Sequence, residues 1–150
     1  MKHLFTILYS ICITIAFGQV DDQKNVVKLE QLQSTPIHQL RIYEVPKENR
    51  QVFNERFKDH AYRIMKKYGF TIVAMWETEL NNKLEFIYLI EWKDENTMKT
   101  AWNNFMKDQE WKDIKERTSK LYGTFVERIE DRTLILTDYS PHQDLIKKQE

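Results

Sequence analysis

Hydrophobic positions change their period along this chain, and the changes mark its elements. In HQLRIYEV, residues 38–45, Leu40, Ile42 and Glu44 alternate with Arg41, Tyr43 and Val45, which is the period of a strand, and Pro46 stops it. Phe53, Phe57, Ala61, Ile64 and Tyr68 then recur at steps of four, four, three and four. All five fall on one stripe of a helix running from about Glu48 to Tyr68. Gly69, one of 3 glycines in the chain, supplies the left-handed residue on which such a helix ends. Two β-rich runs, FTIVAMWETEL and KLEFIYLIEW, flank Asn81 and Asn82 and predict a hairpin. Met98, Ala101, Trp102 and Phe105 return to helical spacing, and Trp111 and Ile114 follow an acidic break near Asp108. That spacing predicts one helix with a short second helix or extension behind it. Strand-like residues come around Phe125 and Val126 and again from Thr133 to Thr137, before a polar tail over residues 142–150.

Strand, helix, strand, strand, helix, strand is the order of a ferredoxin-like βαββαβ sandwich, an α+β fold with both helices on one face of an antiparallel sheet. If the other face met water it should alternate into polar residues. It does not: Ile72, Ala74 and Trp76 are interleaved with Val73 and Met75, and Phe86, Tyr88 and Ile90 with Ile87 and Leu89. An apolar second face predicts an interface. The economical solution is a homodimer whose sheets pack face to face or close into a dimeric α/β barrel.

Composition adds an address. With 41% apolar and 31% charged residues, 150 residues suit a single folded domain. The first 18 residues depart from that average, because Lys2 precedes LFTILYSICITIAFG, an uncharged apolar run ending in small residues at Ala16 and Gly18. This is the layout of a secretory signal peptide cleaved before Gln19. The run falls short of the ~20 apolar residues a membrane span needs. The domain is therefore expected to be exported, periplasmic or secreted, with no span after cleavage. Residues 19–36, QVDDQKNVVKLEQLQSTP, read as a polar linker or N-terminal arm, leaving 37–141 as the domain. Cys12 is the only cysteine and leaves with the signal, so the mature chain is expected to have no disulfide, thiol nucleophile or thiolate metal site. Loss of Lys2 turns 23 basic against 23 acidic residues into 22 against 23, and that balance predicts neither nucleic acid nor an anionic membrane as partner.

Several phrases resemble the NIPSNAP family: LRIYEV in the opening strand, FNERFKDHAYRIMKKYGF in the helix and its glycine stop, WETE, YLIEWKDENTMKTAWNNFMKDQEW, and the ending LTDYSP. The resemblance covers about Gln39 to Pro141. It implies the dimeric α/β-barrel superfamily, which also holds small cofactor-free monooxygenases, heme-degrading enzymes and chlorite-dismutating enzymes. It brings no agreed active-site motif to map here. The vesicle-transport and mitochondrial-signalling roles of better-studied members do not transfer to a chain with an export signal and one copy of the domain.

Candidate chemistry is sparse. On a helical wheel His60 lies about 60° from Phe57, between the core and the solvated flank of Arg56 and Arg63, where a histidine either packs or binds. His3, His38, His60 and His142 have no metal-ligand spacing, so no metal and no cofactor are expected; an axial heme ligand would have to be His60. The aromatic residues are more suggestive. With Trp76 opposite Ile87 the strand faces sort one way. With Trp76 opposite Tyr88, one face collects Trp76, Phe86, Tyr88 and Trp92 and the other Glu77, Glu85 and Glu91. Pattern leaves both registers open, although the second separates polarity more cleanly. His60, Trp76, Tyr88, Trp92 and Tyr43 are the candidate ligand-binding residues, suited to a small apolar or aromatic ligand in the barrel interior. Glu77 or Glu91 would serve as acid or base only in a desolvated pocket, and no phosphate loop, nucleophile elbow or triad spacing is present. Three functions fit: a dimeric small-ligand or protein-binding module, a cofactor-independent monooxygenase acting on a small aromatic substrate, and a structural module completed by the arm.

Overall fold

The computed structural model describes residues 36–80 and 83–145. The expected signal, the arm up to residue 35, the two turn residues Asn81 and Asn82 and the last five residues of the tail lie outside the described residues. Strand β1 (Ile37–Val45) passes through a 3-10 turn (Lys47–Asn49) into helix α1, residues 50–67. That helix is α-helical over Arg50–Arg56, π-helical over Phe57–Ala61 and α-helical again over Tyr62–Lys67. The hairpin β2 (Thr71–Leu80) and β3 (Lys83–Trp92), helices α2 (Glu95–Lys107) and α3 (Gln109–Tyr122), and strand β4 (Arg128–Leu134) complete the domain. The 4-stranded sheet has the order β2-β3-β1-β4, and every neighbouring pair is antiparallel. Because β3 lies between β1 and β2, the connection through α1 skips a strand, which is the ferredoxin-like arrangement.

Helix ends follow their local chemistry. Gly69 takes φ 82°. The Gly69 N–H donates to Lys66 O and the Phe70 N–H to Met65 O, a paired closure that satisfies carbonyls α1 would otherwise leave bare. Asp94 caps α2 by accepting from the Thr97 N–H at 2.7 Å, and Asp108 caps α3 by accepting from the Trp111 N–H at 2.9 Å. The acidic break is thus a helix start. Of the two alternatives, a short second helix or an extension, the structure has the second helix, and it is full length, 14 residues against 13 in α2.

The last strand also departs from expectation. Phe125 and Val126 are loop residues, and Phe125 is buried against Phe53 and Tyr122 rather than extended in the sheet. At the far end Leu134 pairs with His38, next to the first residue of β1. Among the described residues β1 extends only to Ile37 beyond that pair, and the expected run to Thr137 stops at Leu134.

Alternation sorts the two sheet faces. Ile37, Gln39, Arg41, Tyr43 and Val45 of β1 lie opposite Trp92, Ile90, Tyr88, Phe86 and Leu84 of β3, and this face carries the core under the helices. The hairpin takes the register in which Trp76 faces Ile87, with Leu80 paired to Lys83. Trp76 consequently points away from the helices. It does not group with Phe86, Tyr88 and Trp92, and Glu77, opposite Phe86, lies on the helix side instead of joining Glu85 and Glu91. A bulge between Ile72 and Ala74 shifts the pairing by one below that point.

Candidate functional site

On the helix side of the two central strands a polar cluster is set into an aromatic core. The Tyr43 and Tyr88 rings stack at 5.6 Å with their hydroxyls 3.0 Å apart, and Tyr88 is fully buried. Arg41 donates from Nη2 to the Tyr43 hydroxyl at 3.1 Å and from Nη1 to Asp131 at 2.5 Å, and its guanidinium lies 4.7 Å from the Trp102 ring centre. Its Nε is buried without a partner. Gln39 donates to both Asp131 oxygens at 2.9 Å and accepts from the indole N–H groups of Trp92 (3.1 Å) and Trp102 (2.7 Å). Burial pushes the Tyr88 phenol well above its ordinary range, with Tyr43 adding to the rise, so it stays protonated. Burial by itself would lower Arg41, but Tyr43, Tyr88 and Asp131 outweigh it and hold the guanidinium charged. Arg56 sits 3.5 Å from the Phe125 ring centre and is lowered to about 10 by burial, only partly offset by Tyr43. With every polar group but Arg41 Nε partnered and its rings in contact, this cluster is a packed polar core.

Open space lies elsewhere, between α1 and the edge strand β2. A cleft of about 970 Å³ has Phe57, Phe86, Met75 and Tyr62 along its apolar side. Phe57 and Phe86 are core residues whose rings meet at 4.6 Å, whereas Met75 is 38% exposed, since among the described residues no helix covers the helix-side face of β2 at that point. At the rim the Glu77 carboxylate accepts from Asn54 Nδ2 and Arg50 Nη2, each at 2.5 Å. Those bonds, the one from Asn54 foremost, hold Glu77 below the usual carboxylate range. An ionised, doubly bonded carboxylate is an acceptor and an anchor; it is unsuited to act as a general acid.

The five candidate residues separate. Tyr43, Tyr88 and Trp92 share the helix-side core, where Trp92 and Tyr88 are 1% and 0% exposed. Trp76 is 50% exposed on the opposite face. His60 lies half-buried within the π-helical stretch of α1, among residues that line the cleft, without being one of them. His38, on the open face, places Nε2 3.3 Å from Glu91. Among the described residues no group of three or more His, Cys, Asp or Glu side chains could hold a metal ion.

Sequence reasoning missed Arg41, Gln39 and Asp131, and it missed the cleft. One signal was available: Arg50 and Asn54, four apart, share a helix face and can reach one acceptor.

Comparison with solved structures places the fold. A NIPSNAP-like domain protein of Burkholderia xenovorans superposes with a TM-score of 0.61 at 16% identity, covering 73% of this chain and 91% of that one. A NIPSNAP family protein of Agrobacterium tumefaciens gives 0.61 at 20% identity, covering 71% and 97%. A second protein of that organism, described as a NIPSNAP family protein with unknown function, gives 0.61 at 14% identity, covering 72% and 94%. No curated protein matches the sequence. The NIPSNAP family model matches residues 38–141, more than half of the chain and nearly all of the described domain, and on that match the chain belongs to the NIPSNAP family.

Proposed function

We propose that the mature chain is an exported, homodimeric binding module in which the open sheet face is the contact between copies and the helix side is left for a ligand. The observation that carries this reading is the open face. Leu40, Ile42, Ile87 and Leu89 lie on it half-buried, and Trp76 beside them is half-exposed. A face that met only water would alternate into polar residues at these positions. Beyond β4 the apolar exposure continues through Ile135 at 68% and Tyr139 at 84%. The arginines of this face are matched within the chain, Arg128 to Glu44 and Glu130 and Arg132 to Glu130, so their charge sets no barrier to a second copy. The signal layout of residues 1–18 supports the compartment.

Sedimentation equilibrium of the mature chain at micromolar concentration tests the contact, with a two-chain mass expected and a one-chain mass contradicting it. Export is tested by fractionation: the processed chain should be found outside the cytoplasm, starting at Gln19. The aromatic residues expected to line a monooxygenase pocket, Tyr43, Tyr88 and Trp92, are packed into the core instead. Oxygen uptake with a panel of phenols separates that activity from binding, and no uptake is expected.

A further inference from the structure

We infer that the cleft between α1 and β2 is a binding site for a neutral or cationic amphipathic small molecule, seated by its apolar body on Phe57, Phe86, Met75 and Tyr62. The inference rests on the reading of the domain as a binding module and gives that reading a site and a ligand class.

Three independent observations meet at this cleft. The first is volume: about 970 Å³ falls at the upper end of the ~300–1,000 Å³ of small-molecule sites. The second is the helix. Residues Phe57–Ala61 form a π turn, with the Tyr62 N–H donating five residues back to Phe57 O. Such turns are rare, cost backbone hydrogen-bond geometry, and tend to occur where a helix shapes a site. Phe57, Lys58 and Asp59 from this turn, together with Tyr62 just after it, all line the cleft. The departure from α-geometry therefore lies along the cleft, which Arg50, Gln51, Asn54 and Glu55 of the preceding α-helical turns also line.

Charge is the third observation, and it selects the ligand. The lining carries Glu48, Glu55 and Asp59 against Lys47, Arg50 and Lys58. Arg50 is matched to Glu77 and Lys47 to Glu79 of β2. The lining itself is balanced, three carboxylates against three cations, but two of those cations already bond carboxylates just outside it, which leaves the acidic side chains in excess around the apolar floor. An anion would meet a repulsive rim, while a neutral body or a cationic head would not. The mutual bonds of Asn54, Arg50 and Glu77 fix the rim before any ligand arrives.

Fluorescence titration of the full mature chain with neutral N-phenylnaphthylamine and with anionic anilinonaphthalene sulfonate tests this. The neutral probe is expected to saturate at one site per chain and to bind at least about tenfold more tightly than the anionic one. Met75→Glu should weaken the neutral probe about tenfold or more, and Trp76→Glu, on the opposite face, should leave it unchanged. The surface double variant Glu55→Lys with Asp59→Lys does not touch the core; it should raise the affinity for the sulfonate severalfold and leave the neutral probe within about twofold. Equal affinity for both probes, or a sulfonate affinity indifferent to the double variant, overturns the ligand class. A neutral-probe affinity indifferent to Met75→Glu in a two-chain particle overturns the cleft and keeps the dimer. Probe binding lost on Met75→Glu in a one-chain particle overturns the dimer and keeps the cleft.

Discussion

The two faces of this sheet are built from the same strands with opposite outcomes. On the helix side, alternate residues of β1 and β3 disappear into a core of interlocking rings, Phe53, Phe57, Phe86 and Tyr88 at one end and Phe70, Trp92, Trp102 and Phe105 at the other. That core even admits a guanidinium, because Asp131, the Tyr43 hydroxyl and the Trp102 ring surround Arg41. On the open face the intervening residues, Leu40, Ile42, Ile87 and Leu89, are nearly as apolar but only half-buried. Burial inside one chain and burial between chains ask the same residue types of a strand. With a second copy on the open face, as proposed, substitutions on the two faces should fail differently: on one by unfolding, on the other by dissociation.

The sharpest contrast is expected at Phe57. Phe57→Ala removes a ring in contact with Phe53, Phe86 and Tyr88 and should cost about 3–5 kcal/mol in urea unfolding. Arg41→Ala comes next, at about 1–3 kcal/mol, since it empties the space beside the Tyr43 and Trp102 rings and takes one charged donor from Tyr43 and Asp131, which keep only Tyr88 and Gln39 as partners. A cost below about 0.5 kcal/mol would mean that the guanidinium is solvated and the core ends short of it.

Asp108 ties the faceted helix side together from the edge. It caps α3 and receives Lys67 Nζ at 2.9 Å and the Tyr68 hydroxyl at 2.8 Å, joining the end of α1 to the start of α3. The Trp111 N–H above all, then Lys67, holds its carboxyl down to about 2. The unfolded chain binds this proton more readily than the folded one, so the carboxylate stabilises the fold above about pH 4 and that contribution is lost as pH falls toward 2. Asp108→Asn should lower stability by about 1–2 kcal/mol at neutral pH and flatten that acidic limb of the unfolding midpoint. Tyr88→Phe is the mildest change. It removes one hydroxyl while Tyr43 keeps its bond from Arg41, and about 1 kcal/mol is expected in the same assay.

What could be read from the sequence followed local rules. The stripe from Phe53 to Tyr68 and the Gly69 stop depend on helical periodicity and on one backbone conformation, and both are found in place. The hairpin register was not readable from pattern, because both faces of β2 and β3 are apolar and a slip leaves the pattern almost unchanged. Trp76 was therefore grouped with residues from which the sheet separates it. The Arg41–Asp131 pair spans 90 positions and arises only when β4 lies beside β1. The cleft depends on where α1 sits over the sheet, which no local signal encodes.

The contrast between the faces rests on what covers the open one, and sedimentation equilibrium of the mature chain beside its Trp76→Glu variant addresses that directly. A two-chain mass for the unsubstituted chain is expected, falling to one chain in the variant with an unchanged circular dichroism spectrum and an unfolding free energy of the single chain within about 0.5 kcal/mol. A one-chain mass for the unsubstituted chain at micromolar concentration, or a two-chain mass that survives the buried charge, would contradict the assignment of this face to a second copy.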